Sequence, residues 1–261
     1  MTLITETQKW LEDHGFPLEM RTAVEFQTAG FGVEQSRFYV DPDTEKNREI
    51  DVEAVLSNFL GLVGVRFIVE CKATKKPWVL LSSPDTVSGY GRHYAFAEMT
   101  NVAREVLVKH FGDFTRLAQK IPWINKEGLI GYSLRQAHSE KDSGYEVASS
   151  VAQACRARIR AYEKSQRIEF IFPVIVTSAP LIQCSLAHDG QLQLEEVEQG
   201  EFLFLANKFD ACIRIVTANH LPAFALEAKN IGDELQKEFK DDGEQIAEAR
   251  IKSQSKRGTN A

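Results

Sequence analysis

The sequence predicts an α/β protein, one mixed central β-sheet flanked by helices. Three observations predict it. The stretch Arg48–Lys76 reads as two β-strands with charged residues at alternate positions. Apolar residues recur at helical spacing from about 92 to 121 and again over about 145–164. The run IEFIFPVIVT at 168–177 is nearly continuous in apolar residues, as expected of a central strand covered on both faces.

In chain order, residues 4–14 form an amphipathic helix candidate with Ile4, Trp10 and Leu11 apolar, stopped by Gly15. A second helix is expected from Pro17 to about Ala29, where Pro suits the first turn and Leu18, Val24 and Phe26 supply a core stripe. Gly30–Phe31 ends it and leads into a strand over 33–40, and DPDTEKN at 41–47 is a turn by composition. The central strand pair follows, its second member at 65–72 with Val65, Phe67, Val69 and Cys71 on one face. From 92 to 121 one or two helices are expected, broken near Gly112, and 123–144 is mixed and loop-rich. The helix over 145–164 turns Ala148, Val151, Ala152, Cys155, Ile159 and Tyr162 inward. Strands then follow at 168–177, 181–187, 192–198, 201–206 and 212–218, with a hairpin expected at Gln199–Gly200. A last helix follows Pro222, and the charged end is expected to be disordered.

Composition narrows the classes. The chain has 261 residues, 43% of them hydrophobic, enough for a packed core. A formal charge of −6 argues against a protein that coats nucleic acid nonspecifically, but not against a local basic groove. Cys71, Cys155, Cys184 and Cys212 lie singly in apolar stretches. Without a CxxC pair or a signal-peptide pattern they read as reduced thiols of a cytoplasmic protein. Scattered histidines offer no zinc-ligand spacing, and no run approaches the ~18 apolar residues of a membrane span.

The chemistry is expected in the central pair. Side chains two apart in a strand share a face, so Asp51, Glu70 and Lys72 can project from one side of the sheet. Glu49 and Glu53 alternate with Asp51 and would share that face in a regular strand. Carboxylates packed beside an ammonium are costly unless a cation sits among them, and Mg²⁺ is the foremost hard divalent ion for oxygen ligands. The plain alternative is a solvated strand face.

These residues resemble the PD-(D/E)XK nuclease superfamily, with its restriction-endonuclease-like fold. The matching pattern is R-E-I-D-V at 48–52 and E-C-K at 70–72, with eighteen residues between Asp51 and Glu70. Ile50 stands where the family pattern has proline. Upstream, Glu19 lies eleven residues before Gly30, as many members place a glutamate early in the first core helix. In this part the chain is similar to Holliday-junction resolvases and Mrr-type restriction proteins. The similarity covers about 17–80 by motif and 145–177 by helix–strand order.

The resemblance implies a single nuclease-like domain over 1–225, with a helical insertion at about 85–144 and an extra C-terminal β-region. A charged helix and disordered tail would occupy 226–261. Asp51, Glu70, the backbone carbonyl of Cys71 and Glu19 would hold Mg²⁺, with Mn²⁺ able to substitute. Glu25 competes with Glu19, and Glu49 is expected as a salt-bridge partner or a group behind the ligands, not as a ligand itself. Lys72 would position or activate the attacking water, and an electrostatic role is more secure for it than a general base, since neighbouring carboxylates favour its charged form. The implied activity is phosphodiester hydrolysis, by a DNA endonuclease of a prokaryotic restriction or defence system. Such enzymes are often homodimers. Lys75 and Lys76 are candidate phosphate contacts. Gln153, Arg156 and Arg160 are candidates to line the groove, or equally a solvated helix face. Tyr90, Arg92 and His93 suggest a loop over the site or a plain turn, and no aromatic-and-basic array marks a base-reading surface. Two other readings stand beside this one. One is a catalytically inactive nuclease-like binding or assembly module. The other is an effector switched by a ligand bound at 178–220.

Overall fold

The computed structural model describes residues 2–41, 43–58, 61–83, 96–110, 114–125, 129–141, 143–206 and 209–258. The chain opens with α1 (Leu3–Asp13) and α2 (Phe16–Thr28). Gly15, at φ 83, makes the turn between them, and Pro17 begins α2 where a missing N–H is no loss. β1 (Gly32–Val40), β2 (Asn47–Ser57) and β3 (Val63–Lys72) follow as an antiparallel meander. Asp41 closes its first turn, accepting the N–H groups of Asp43 and Thr44 and bonding the Arg48 guanidinium. Next come β4 (Trp78–Ser83), β5 (Glu98–Met99), α3 (Asn101–Lys109), α4 (Phe114–Lys120), a 3-10 turn (Pro122–Asn125) and β6 (Ile130–Gln136). α5 (Ser143–Glu163) leads to β7 (Ile168–Thr177). The chain then forms β8 (Leu181–Leu186), β9 (Leu192–Val197), β10 (Gln199–Ala206), β11 (Phe209–Thr217), α6 (Leu221–Glu238) and α7 (Lys240–Gly258).

Among the described residues these strands form one mixed sheet in the order β1-β2-β3-β7-β11-β10-β6-β4-β8-β9, with β5 against β7. β7 is buried along its whole length, parallel to β3 on one edge. Its other edge is shared, by β5 at Phe170–Ile171 and by β11 from Val174 onward. Pro173 falls in the gap between those two partners, where a residue without an N–H costs least. Val65, Phe67, Val69 and Cys71 of β3 pack with Phe26 of α2, Phe224 and Ile231 of α6 and Trp123 of the 3-10 turn. On the opposite face Ile68, Ile171 and Ile215 pack against Val147, Val151 and Cys155 of α5. Helices therefore cover both faces of the sheet at β3 and β7, and β3 is apolar toward α2 and α6 but carries Arg66, Glu70 and Lys72 beside Ile68 toward α5.

Several expectations are corrected. The segment 85–144 is not simply a helical insertion, because it contributes β6, an interior strand between β10 and β4. Phe96 and Met99 precede α3, Met99 within β5, and are not part of a helix beginning near 92. The break near Gly112 falls between α3 and α4, but 111–113 lie outside the described residues. A boundary at 225 would cut α6, whose Ala228, Ile231 and Leu235 are buried, as is Phe239 beyond it. The C-terminal strands are not an appendage, since β11 lies beside β7. No hairpin joins β9 and β10. Glu198 alone links them although β8, β4 and β6 lie between them along the sheet, so this half curls back on itself. Gly131 and Gly200 make room for Leu80 inside the curl, where a Cβ would stand 2.4 and 2.5 Å from its methyl groups. α1 buries no side chain, and Val24 is exposed instead of joining the α2 core stripe. No described helix is long and apolar enough to cross a membrane.

A buried ionic cluster ties α5 to the sheet. Arg66 of β3 bonds Glu53 at 2.9 Å and Glu169 of β7 at 3.1 Å. Arg158 of α5 lies 2.7 Å from Glu53, and the Arg66 guanidinium stacks over Tyr162 at 4.4 Å. Gly64 opposes Glu169 in register, and a Cβ there would sit 2.2 Å from its carboxylate.

Candidate active site

The site forms where β2 and β3 part. Their ladder runs from Ser57↔Gly64 to Val52↔Val69 and stops one residue short of Asp51. On the other side of β2, Ser36 of β1 adopts φ 52 and is left out of the ladder opposite Asp51, between the pairs Gln35↔Val52 and Arg37↔Ile50. The pleat changes phase here. Val52 packs into the α2-side core, whereas Ile50, two residues away, packs with Tyr39 and Ile68 on the α5 side. The irregularity frees the Asp51 carboxylate to take the place of a ladder carbonyl, and its Oδ2 accepts the Cys71 N–H at 2.7 Å. A residue's N–H and C=O face the same neighbour in a strand, so the Cys71 carbonyl faces that side too.

Glu70 and Lys72 are two apart on β3 and share the α5 face. Lys72 Nζ donates to Glu70 Oε1 at 2.6 Å, and the Ser150 hydroxyl of α5 donates to Oε2 at 3.1 Å. Tyr39 reaches the Ser150 carbonyl at 3.4 Å, bracing that turn of α5. From the other layer, α2 brings Glu19 toward the same strand ends. Thr22 accepts from the Cys71 thiol at 3.5 Å, and Gly15 lies so close to β3 that a Cβ would stand 3.0 Å from that of Ala73.

Charge follows from this crowding. Burial, then the neighbouring Glu70 carboxylate, push Asp51 up to about 7, against the pull of the Cys71 N–H. Burial, then Glu49 and Glu70, also raise Glu19, with Lys72 opposing. Burial alone would lower the Lys72 ammonium, but the charge and hydrogen bond of Glu70 outweigh it and keep Lys72 above its ordinary value. The cluster is thus short of positive charge although Lys72 is fully protonated.

Beside it opens a cleft of about 460 Å³, lined by Glu70, Lys72, Thr74 and Gln136 and by Ser143, Glu146 and Ser150 on the first turns of α5. Trp78 lines it as well. This side chain is 1% exposed, and its indole N–H has no acceptor among the described residues. An unpaired buried donor is unfavourable by about 1–3 kcal/mol.

The structure brings Asp51, Glu70, Cys71 and Lys72 together, and Glu19 lies near enough for its charge to act on Asp51. Other candidates lie apart from them. Glu53 is fully buried in ion pairs with Arg66 and Arg158 and does not line the cleft. Glu25 faces Arg21 along α2 at 3.9 Å. Gln153, Arg156 and Arg160 do not line the cleft, and Arg156 is paired with Asp43 at 2.9 Å. Lys75 and Lys76 are exposed just past Lys72, with Lys76 bonded to the His138 carbonyl at 2.8 Å. Tyr90, Arg92 and His93 lie outside the described residues. Sequence reasoning missed Ser150, Glu146, Gln136 and Trp78. The polar stripe Ser143–Glu146–Ser150 was the available signal, one turn apart along α5.

No family model, curated protein or solved structure matches this chain. What the site can do follows from its own side chains. Among the described residues no three His, Cys, Asp or Glu side chains converge as a ready metal cage. One Asp51 oxygen is turned to Cys71 N–H, and both Glu70 oxygens are engaged by Lys72 and Ser150. The donor set is nonetheless all oxygen and carries excess negative charge, the chemistry suited to a hard divalent cation. Such an ion would compete with the Lys72 and Ser150 hydrogen bonds for Glu70.

Proposed function

We propose that the protein is a metal-dependent nuclease of the PD-(D/E)XK type, an endonuclease hydrolysing phosphodiester bonds in DNA, as in prokaryotic restriction or defence systems. One observation carries the reading: Asp51, Glu70 and Lys72 meet at the point where β2 and β3 separate, beside an open polar cleft. The succession α2–β1–β2–β3–α5–β7, with helices on opposite faces of a mixed sheet, supports a restriction-endonuclease-like core.

In this reading Asp51, Glu70, the Cys71 carbonyl and Glu19 hold Mg²⁺ or Mn²⁺. When bound, the ion supplies Lewis acidity and offsets the negative charge that develops on the phosphate. Lys72, kept protonated by Glu70, acts through its charge and its N–H donors, orienting the attacking water against the phosphate and stabilising the transition state. As the water oxygen bonds to phosphorus, the bond to the opposite, leaving oxygen breaks. The water's proton passes to solvent and the leaving oxygen takes one from solvent, because an ammonium held above its ordinary pKa is a poor base at neutral pH. Ser150 fixes the Glu70 carboxylate and through it the position of Lys72. The start of α5, a 21-residue helix, borders the cleft at Ser143, and its positive dipole end favours a phosphate there. Lys75 adds charge at the edge.

The test is incubation of purified protein with supercoiled plasmid and Mg²⁺ or Mn²⁺. Nicking or linearisation that disappears in Asp51→Asn and in Lys72→Ala is the expected outcome. Absence of cleavage of duplex, single-stranded DNA and RNA alike defeats the proposal. A second reading, a nuclease-like module that binds without cutting, draws on the engagement of both Glu70 oxygens by Ser150 and Lys72. That reading predicts no heat on titration with Mn²⁺.

A further inference from the structure

A second groove, of about 210 Å³, lies where α5, β6 and β10 meet. Aromatic side chains form its walls. Tyr145 comes from α5, Tyr132 from β6 and Phe204 from β10, and the Tyr145 and Phe204 rings stand 5.6 Å apart. Tyr132 and Tyr145 are 51% and 58% exposed, so neither is held there by a need of the core. The described lining includes Arg135 and no acidic residue.

Groove and catalytic cleft are built on the same two elements. At its start α5 turns Ser143, Glu146 and Ser150 to the cleft and Gly144, Tyr145 and Ala148 to the groove. β6 gives Gln136 to the cleft and Tyr132 to the groove. Those two lie four positions apart along the strand, roughly 13 Å, about the rise of four stacked nucleotides. Gly144 makes the junction possible, because a Cβ there would stand 1.8 Å from the Leu134 carbonyl oxygen. A chain with a phosphate in the cleft therefore finds flat aromatic faces and a guanidinium a few nucleotides away.

We propose that this groove takes unpaired nucleobases of the strand being cut, stacked on Tyr145 and Tyr132, with Arg135 against the backbone. The inference rests on the nuclease reading and names its substrate: DNA carrying a single-stranded or frayed segment next to the scissile bond. Bases inside an intact duplex are already stacked and offer no free face, whereas those of a single strand gain a partner in every exposed aromatic ring.

The experiment measures binding in the Asp51→Asn background, where cleavage does not intrude. Fluorescence anisotropy compares a labelled single-stranded oligonucleotide with a blunt duplex of the same length. The double substitution Tyr132→Ala/Tyr145→Ala is expected to weaken single-strand binding roughly 10- to 100-fold and duplex binding less than about threefold. Tyr145→Phe keeps the stacking face and stays within about twofold of the parent. Both tyrosines are exposed, so the melting temperature reports whether the variants remain folded. Equal losses for single strand and duplex, no loss for either, or a parent that binds neither would overturn the proposal. Plasmid cleavage by chains with Asp51 intact separates the two readings. An active enzyme whose single-strand affinity ignores both tyrosines defeats the groove alone. A protein that grips single strands through them yet cuts nothing supports the groove and defeats the nuclease reading.

Discussion

At Asp51 two demands meet. The Cys71 N–H needs an acceptor where the ladder stops, and Glu70 resists a second negative charge beside it. The carboxyl is pushed from 3.8 to about 7 in the folded chain. Between those values the folded state holds more protons than the unfolded one, so without a cation this group makes stability fall as pH rises from about 4 to about 7. Asp51→Asn removes the charge and keeps an acceptor for Cys71. Thermal melts in EDTA should find that variant about 1–3 kcal/mol more stable than wild type above pH 7, and equal to it near pH 4. Mg²⁺ should raise the melting temperature of wild type more at pH 8 than at pH 6, and leave Asp51→Asn unmoved. Ser150→Ala should lower the cleavage rate roughly 2- to 10-fold with KM unchanged, since the lost bond of about 0.5–1.5 kcal/mol orients Glu70 without touching substrate. Asp51, Glu70 and Lys72 are legible in the sequence because strand alternation is a local rule. The phase break at Asp51 is not, because it arises from the left-handed Ser36 on a neighbouring strand. Nor is Ser150, whose facing depends on how α5 is rotated against the sheet.

Among the elements, β7 can be read directly from its long apolar run and β3 from the alternation of Val65, Phe67, Val69 and Cys71. β6 resists such reading. IGYSLRQ is short, contains a glycine and lacks clean alternation, and only its partners β4 and β10 make it a strand. Glu53 misleads for a related reason. On sequence it is one more alternate acid, and only distant Arg66 and Arg158 show it to be buried and paired. Removing Arg66 leaves Glu53 and Glu169 without that partner inside the protein, so Arg66→Ala should cost about 3–5 kcal/mol in denaturant unfolding. A loss below about 1 kcal/mol would show that the cluster is hydrated. Gly144→Ala forces α5 away from the β6 backbone. The predicted outcome is a stability loss of about 2–4 kcal/mol together with lost cleavage, because the cleft-facing turns of α5 move with it.

For the whole molecule, the helices at the two ends differ in what they bury. Chains lacking residues 2–14 should melt within about 2 °C of wild type, because α1 buries no side chain of its own and packs on α2 through the exposed pair Trp10 and Phe16. A chain stopped at 225 should fail to fold, since it loses Ala228, Ile231, Leu235 and Phe239 from the core. Comparing the two by circular dichroism checks both. The α/β class and the strands β1–β3 and β7–β11 are visible in local pattern, whereas β4, β5 and β6 are not. The curl from β9 into β10 and the place of β11 beside β7 are set by pairings between distant segments, which local pattern does not encode. The central claim concerns charge: the carboxylates at the β2–β3 junction lack one cation. Calorimetric titration of Mn²⁺ into wild type and Asp51→Asn at pH 8 tests it most directly. A saturable heat in wild type that vanishes in the variant is predicted. No heat in either, or the same isotherm in both, would contradict it.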